Sequence, residues 1–213
     1  SKKINKISFV IPSNKKNLNF YKEIKKKNYL VFRGSEKNVL NRYYKAAKSL
    51  KADIIVRITG DCPLVDPHLL DTMISKFVQN DLDFLSNNDP PSFPDGFDIE
   101  IFKFKYLKKA NLLAKTQYDK EHVTPFIKRI KKIKKFNVRN YLGNYSNIRL
   151  TVDEKMDIEF IKKLVKKFNG KEINFKTVVG LYKKDKFFFK KSLLISRNEG
   201  SSLQKGQKLW IKA

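Results

Sequence analysis

Apolar and amphipathic stretches alternate along most of the chain, and this alternation predicts strands that are each followed by a helix. The clearest strand is 52–59, a short and largely β-branched run of the kind that is buried on both faces of a parallel sheet. The clearest helix start is Asp66-Pro67, a capping side chain followed by proline at the first helical position. In chain order, the predicted strands are 7–12, 29–32, 52–59, 82–86, 97–104, 136–140 and 148–152, and the predicted helices are 18–27, 38–50, 67–77, 105–115, 119–131 and 155–168.

The order of these elements predicts an α/β layer fold with a mostly parallel sheet. From 169 onward the pattern loosens, and the polar stretch 196–206 is typical of an exposed tail or linker. We therefore expect one domain over 1–195, followed over 196–213 by a linker or the start of a second domain.

The charge of the chain is strongly positive, with 47 Lys and Arg against 21 acidic residues and a net charge of +26. Such a balance is typical of proteins that bind nucleic acid or another anionic surface. Only seven of the basic residues are arginines, the type that forks onto phosphate and guanine. Asn, Ile, Phe and Tyr are also abundant, as expected when mutation shifts the codons of a gene toward A and T. A basic nucleic-acid-binding α/β protein is therefore kept as the alternative interpretation, and a nucleic-acid partner is not expected.

Cysteine content and the lengths of apolar runs indicate a soluble cytoplasmic protein. The single cysteine, Cys62, excludes an internal disulfide framework and a cysteine-based zinc site. No apolar run approaches the ~18 residues of a membrane span, and the first residues lack the apolar core of a secretory signal. As a nucleophile Cys62 would need a basic partner. Neither His68 nor His122 has a triad-like context, so a buried thiol is the favoured interpretation.

Two acidic residues follow predicted strands, at the sheet edge where ligands bind in α/β folds. Asp61 lies in TGDCPLVDP directly after strand 52–59, and Asp153 lies in RLTVDEKMDIEF between a strand and a helix. Carboxylates so placed suit Mg2+, which is usually held by one or two carboxylates plus substrate phosphates. The alternatives are a tight turn for Asp61 and a helix N-cap for Asp153, with Asp157 as a first-turn acid that interacts with the helix dipole.

The segment VFRGSEKNVLNRYYKAAK offers a candidate anion or nucleobase site between a strand and a helix. Gly34 and Ser35 would present backbone N–H groups and a hydroxyl, with Arg33 and Arg42 nearby. The alternative is an ordinary turn from strand to helix, in which Ser35 lies near the helix cap.

Two further segments carry candidate substrate-binding residues. In FPDGFDIEIF, Asp95 precedes a glycine turn, and Asp98 and Glu100 are two residues apart, which places them on one face of a strand. These acids bind substrate hydroxyls if that face meets the crevice, or are surface acids if it meets water. In EHVTPFI, His122 precedes Pro125, which we expect to kink or break the helix.

Taken together and in their order along the chain, these segments resemble the cytidylyltransferase family that makes CMP-activated sugars. The resemblance extends over residues 4–200 and is strongest to the branch named for spore coat polysaccharide biosynthesis protein F, which is related to acylneuraminate and CMP-Kdo synthetases. It implies a Rossmann-like nucleotidyltransferase fold, the three-layer sandwich of nucleotide-diphospho-sugar transferases. It also implies an enzyme that binds CTP and Mg2+ and transfers CMP to a sugar hydroxyl with release of pyrophosphate, in surface polysaccharide biosynthesis.

The resemblance also implies roles for the candidate residues. Asp61 and Asp153 would be catalytic metal ligands. The other implied positions are the nucleotide-binding residues Arg33, Gly34, Ser35 and Arg42, and the residues near the sugar or sugar acid, Asp95, Asp98, Glu100 and His122. Related enzymes are commonly dimers, so a homodimer is expected.

One departure from the family pattern concerns the beginning of the chain. The family opens with a strand and a basic, glycine-containing loop of the type ARxGSxRxPxK, whereas ISFVIPSNKKNLNF resembles the next strand. We therefore expect that the first strand and loop, ~40 residues by the usual length of a strand–helix–strand unit, are missing here. At the other end, 206–213 resembles the opening of class III aminotransferases of the glutamate-1-semialdehyde aminomutase type, which implies a fusion. A third interpretation is a catalytically silent relative that acts as an interaction domain.

Overall fold

The computed structural model describes residues 1–193, so the predicted linker and the aminotransferase-like stretch lie outside the described residues. The strands are β1 Ser8–Pro12, β2 Leu30–Gly34, β3 Ile54–Arg57, β4 Phe84–Ser86, β5 Glu100–Lys103 and β6 Lys135–Asn137. The helices are α1 Leu18–Lys26, α2 Val39–Ser49, α3 Pro67–Gln79, α4 Phe104–Leu113, α5 Gln117–His122, α6 Pro125–Arg129, α7 Lys155–Phe168 and α8 Phe175–Lys184. No helix among these residues is long and apolar enough to cross a membrane.

The chain forms two compact units. The first contains 1–57, 68–86 and 100–136, and the second contains 58–67, 87–99 and the residues from 137 onward. The chain passes repeatedly from one unit to the other, so neither unit is a continuous stretch of sequence.

Strand pairing in the first unit is mixed. Strand β1 pairs with β2 in parallel, Ser8 opposite Leu30. A second sheet has the order β3-β5-β4-β6, and β5 is antiparallel to both β3 and β4. The α/β class is therefore as predicted, but the sheets are not mostly parallel. The physical reason is the connection from β4 to β5, which is a loop at 87–99 without the crossover helix that usually joins parallel strands.

The core of the first unit is built around β5. Phe102 is fully buried and lies opposite Ile55 of β3 and Phe84 of β4, with the Phe84 and Phe102 rings stacked 6.3 Å apart. Helix residues, including Leu40 and Leu107, cover this cluster. Burial of these side chains is the main force that holds β5 in the centre of its sheet.

Several local predictions differ from the structure. Strand 52–59, predicted to be buried on both faces, is shortened to β3, an edge strand of its sheet in which Ile55 is buried but Ile54 is exposed. Strand 97–104 is shortened to β5, and 148–152 forms a single bridge, Asp95 with Arg149, instead of a strand. Helix 119–131 is broken into α5 and α6, and α6 begins at Pro125, as proline at a first helical position predicts. Beyond 169, where the pattern loosens, the structure has α8, capped by the Asn174 side chain, which accepts a hydrogen bond from the Thr177 N–H.

Candidate active site

In the second unit, three acid-bearing segments are hydrogen-bonded side by side. The Asp95 N–H donates to the Ile148 carbonyl (2.8 Å), and the Leu150 N–H donates to the Asp95 carbonyl (2.7 Å). Two residues after Leu150, the Val152 N–H donates to the Asp61 carbonyl (2.8 Å). The segment 148–152 therefore runs along both Asp95 and Asp61, and Asp153 follows directly after it.

Gly96 permits the close approach of these segments. Its φ is +112°, a conformation that other residues rarely adopt, and a Cβ built on it would lie 2.9 Å from the Leu150 carbonyl carbon. Any side chain at 96 would therefore displace the backbone that carries Arg149 and leads to Asp153.

The negative charge of this region is visible at Cys62. Burial raises the pKa of the Cys62 thiol to about 12, and the carboxylates of Asp61, Asp98 and Asp95 contribute in the same direction. The thiol is thus protonated at neutral pH and is no nucleophile, as the sequence favoured. The Sγ atom lies 3.7 Å from Oδ1 of Asp61.

Asp153 is joined to Arg149 and Asp157 in a charged cluster. Nη2 of Arg149 donates to Oδ2 of Asp153 (2.5 Å) and to Oδ2 of Asp157 (3.1 Å). Asp157 is buried and also accepts the backbone N–H groups of Asp153 (3.0 Å) and Glu154 (2.9 Å). The N-cap of α7 is Glu154, so the alternative role of Asp153 as N-cap is wrong, whereas Asp157 is the first-turn acid that was predicted. Burial acts to raise the pKa of Asp157, but Arg149 and the two N–H groups outweigh it and lower the pKa.

A role of Asp61 and Asp153 in holding Mg2+ stays a prediction, and the chemistry of two carboxylates suits it. Within residues 1–193 there is no group of three or more His, Cys, Asp or Glu side chains that could hold a metal ion. Asp61 and Asp153 are two carboxylates on hydrogen-bonded segments. A pair of carboxylates completed by water and substrate phosphates is the usual Mg2+ arrangement, whereas a closed protein cage is not.

The four predicted nucleotide-binding residues lie together in the first unit, at the turn between β2 and α2. Nη1 of Arg42 donates to the Ser35 carbonyl (2.8 Å), and the Ser35 hydroxyl accepts the Asn38 N–H (3.1 Å). A Cβ on Gly34 would lie 3.0 Å from Cγ of Arg42. Burial lowers the pKa of Arg42, and its buried Nε has no hydrogen-bond partner among the described residues. Arg33 donates from Nη2 to the Ser13 carbonyl (2.8 Å). Their role toward a nucleotide stays a prediction.

Glu100 is the centre of a buried ionic network in the first unit. Oε2 accepts from Nη1 of Arg57 (2.6 Å), and Oε1 accepts from Oγ1 of Thr124 (2.9 Å) and lies 3.0 Å from Nζ of Lys128. Burial acts to raise the pKa of Glu100, but Arg57 and Lys128 outweigh it and lower the pKa. Both carboxylate oxygens thus have protein partners. Its substrate role stays a prediction, but Glu100 begins β5 whereas Asp98 precedes the strand, so the predicted shared strand face is absent.

His122 ends α5 beside a strained turn. Val123 has φ +71° and ψ −55°, and the Thr124 N–H donates to the His122 carbonyl (2.8 Å), which closes a γ-turn. Positive φ at a β-branched residue is a genuine outlier. The turn places Thr124 against Glu100 and His122 two residues away from that contact, with the His122 ring 4.5 Å from that of Tyr118.

The cationic partners of these acids were not predicted from the sequence. Arg149 lies four residues before Asp153 in the same motif, so its position was a usable signal. Arg57 and Lys128 gave no such signal, because they are 43 and 28 positions from Glu100. Asp98, by contrast, has a neighbour close in the chain, since Nδ2 of Asn88 donates to its Oδ2 at 3.4 Å.

Comparison with known proteins agrees with this architecture. The family model described as cytidylyltransferase matches residues 1–192. The uncharacterized protein MJ1063 of Methanocaldococcus jannaschii is 36% identical over 158 residues, which are 73% of this chain and 63% of that protein. Spore coat polysaccharide biosynthesis protein SpsF of Bacillus subtilis is 33% identical over 151 residues, 67% of this chain and 59% of that protein. The chain thus spans about three fifths of the length of these curated relatives.

Two solved structures give the same result for the fold. A cytidylyltransferase from Leptospira borgpetersenii superposes with a TM-score of 0.78 at 34% identity and covers 84% of this chain and 76% of its own. A CMP:2-keto-3-deoxy-manno-octonic acid synthetase complexed with CTP superposes with a TM-score of 0.52 at 11% identity, over 77% and 82% of the two chains, which supports the fold alone. The chain belongs to the cytidylyltransferase family and has the fold of the nucleotide-diphospho-sugar transferases.

Proposed function

We propose that the protein transfers CMP from CTP to a hydroxyl of a sugar or sugar acid, releases pyrophosphate, and serves surface polysaccharide biosynthesis. The observation that carries this proposal is the hydrogen bond from the Val152 N–H to the Asp61 carbonyl, which joins the segments of the two candidate metal ligands. The similarity to SpsF, named for polysaccharide biosynthesis, supports the pathway. The likeness to a CMP-sugar synthetase supports the fold on which the chemistry would occur.

In the proposed reaction the sugar hydroxyl oxygen forms a bond to the α-phosphorus of CTP. The bond from this phosphorus to the bridging oxygen breaks, pyrophosphate leaves with the electron pair, and the hydroxyl proton passes to solvent or a nearby base. Mg2+, when bound, neutralises charge on the phosphate oxygens. The task of Asp61 and Asp153 is to hold this cation, and the nearby charges of Asp95 and Asp98 strengthen the attraction.

The remaining predicted residues would bind and orient the substrates. The β2–α2 turn, braced by Arg33 and Arg42, offers backbone N–H groups to the nucleotide. Asp98 and His122 are the candidates for sugar hydroxyls. Glu100 would act through its network, because it holds Thr124 and so keeps the turn after His122 in place. A homodimer, a cytoplasmic location and fusion to an aminotransferase stay predictions.

Calorimetry of CTP binding with and without Mg2+ tests the proposal. The wild-type chain is expected to bind CTP only in the presence of Mg2+. Asp61→Asn and Asp153→Asn are each expected to abolish this Mg2+-dependent binding. Glu159→Gln is the matched control, since it removes one exposed carboxylate from α7 near Asp153 and should bind as the wild type does. CTP binding that is indifferent to Mg2+ and to both aspartates would contradict the proposed site. RNA binding that falls steeply with salt, without CTP binding, would favour the nucleic-acid alternative.

A further inference from the structure

Arg149 occupies a central place in the candidate site, although no role has been proposed for it above. It lies on the segment whose backbone is bonded to Asp95 on one side and, through Val152, to Asp61 on the other. Its side chain is almost fully buried and ends between two carboxylates. The guanidinium group is therefore anchored to the same backbone that brings the candidate metal ligands together.

The two carboxylates that share Arg149 differ in burial and in the number of contacts that hold them. Asp157 is buried, accepts two backbone N–H groups at the start of α7, and contacts both Nε and Nη2 of Arg149. The Asp153 side chain is 53% exposed and is held to Arg149 through one oxygen. Asp157 thus fixes the guanidinium, while Asp153 can leave it by a side-chain rotation.

A buried hydroxyl on the same segment has no partner. Thr151 is more than nine-tenths buried, and its Oγ1 makes no hydrogen bond to any residue that the structure describes. Thr151 stands on the same segment, two residues from Arg149 and two from Asp153. A buried polar group without a partner is costly, so this hydroxyl has a hydrogen bond left to give.

An arginine and a divalent cation compete for the same carboxylate oxygen, because both neutralise its charge. We propose that Arg149 holds Asp153 in the absence of substrate and exchanges it for the Mg2+–CTP complex when that complex binds. This inference rests on the proposed function. Arg149 stays bound to Asp157 during the exchange, and its freed Nη2 donates to the anionic oxygens of the incoming triphosphate. The exchange makes metal affinity low without nucleotide and higher with it.

The competition predicts opposite effects for two substitutions. In Arg149→Lys the single ammonium cannot fork between two carboxylates, stays with the buried Asp157 and frees Asp153. The metal affinity should then rise about threefold to fivefold, because a half-exposed ion pair that competes with the metal is lost. In Asp157→Asn the guanidinium no longer shares its charge with Asp157 and therefore pairs more strongly with Asp153. The affinity of Asp153 for the metal is then expected to fall by a similar factor.

The experiment measures the dissociation constant of Mn2+, a paramagnetic substitute for Mg2+, by spin resonance in the presence and absence of CTP. Arg139→Lys is the matched control, an exposed arginine of the second unit, and should leave the constant unchanged. Thermal unfolding of each variant identifies a loss of folding, and if Arg149→Lys does not fold, Asp157→Asn still tests the direction. A purely structural Arg149 would lower the melting temperature without shifting the two constants in opposite directions.

The outcomes separate this inference from the function beneath it. Opposite shifts in the two variants support the exchange. Unchanged Mn2+ dissociation constants, or shifts in the same direction, overturn the exchange but do not contradict the metal site. A wild-type chain that binds no Mn2+ with or without CTP overturns the metal site and the exchange together.

Discussion

The network around Glu100 allows a quantitative test of the fold. We consider Glu100→Gln, which removes the charge that Arg57 and Lys128 share but keeps the shape of the side chain. The side chains of Glu100, Arg57 and Lys128 are 3%, 15% and 26% exposed, so the substitution leaves two largely buried cations without their anion. Removal of one partner from a buried ion pair costs about 3–5 kcal/mol. Because Lys128 keeps some contact with water, we expect the lower end, about 3 kcal/mol.

The control is an ion pair of similar length on the surface. Glu23 and Lys26 are 2.7 Å apart but mostly exposed, so Glu23→Gln should cost less than about 1 kcal/mol. The assay is urea unfolding followed by far-ultraviolet circular dichroism, with the free energy of unfolding compared at pH 7. Arg57→Met combined with Glu100→Gln should cost less than the sum of the single changes, because the two charges interact. Equal losses in Glu100→Gln and Glu23→Gln would refute the reasoning.

The pH dependence has a defined sign. The pKa of Glu100 in the folded state lies below its ordinary value of 4.5. Its contribution is therefore complete above pH 4.5 and is lost as the pH falls from there through the lowered pKa. The stability difference between wild type and Glu100→Gln should shrink over that interval, and a difference that grows as the pH falls would contradict the assignment.

Two further predictions concern the second unit. Gly96→Ala should destabilise the chain by about 1–3 kcal/mol from backbone strain alone and weaken CTP binding, because it displaces Leu150. Gly180→Ala, in α8 with open space around it, should instead stabilise by up to about 1 kcal/mol; thermal unfolding measures both, and equal effects would contradict the packing argument. Cys62, buried and with its pKa raised to about 12, should react with iodoacetamide at pH 8 at least ~100-fold more slowly in the native chain than in urea. Similar labelling rates, read by mass spectrometry, would place the thiol at the surface.

The helices were largely predictable, because their signals lie within a few residues. Helix α2 begins where Asn38 accepts the Asn41 N–H, and α7 spans the predicted 155–168. The missed helix α8 carried a signal of the same local kind in Asn174 and Thr177. The strands were less predictable, because a strand-like pattern does not indicate which other strand it pairs with. Thus β5 is antiparallel and 148–152 is only a bridge, although both patterns are strand-like.

For the candidate site, the sequence alone determined which segments carry the acids and that those around Asp61 and Asp153 follow apolar runs. Only the tertiary structure decided which cation each acid meets: Arg149 for Asp153, Arg57 and Lys128 for Glu100. It also decided that Gly96 lies against Leu150, 54 positions away. The reason is physical: a cap or turn is closed by atoms a few bonds apart in the chain, whereas ion pairs and backbone contacts between distant residues exist only after the core has brought their segments together.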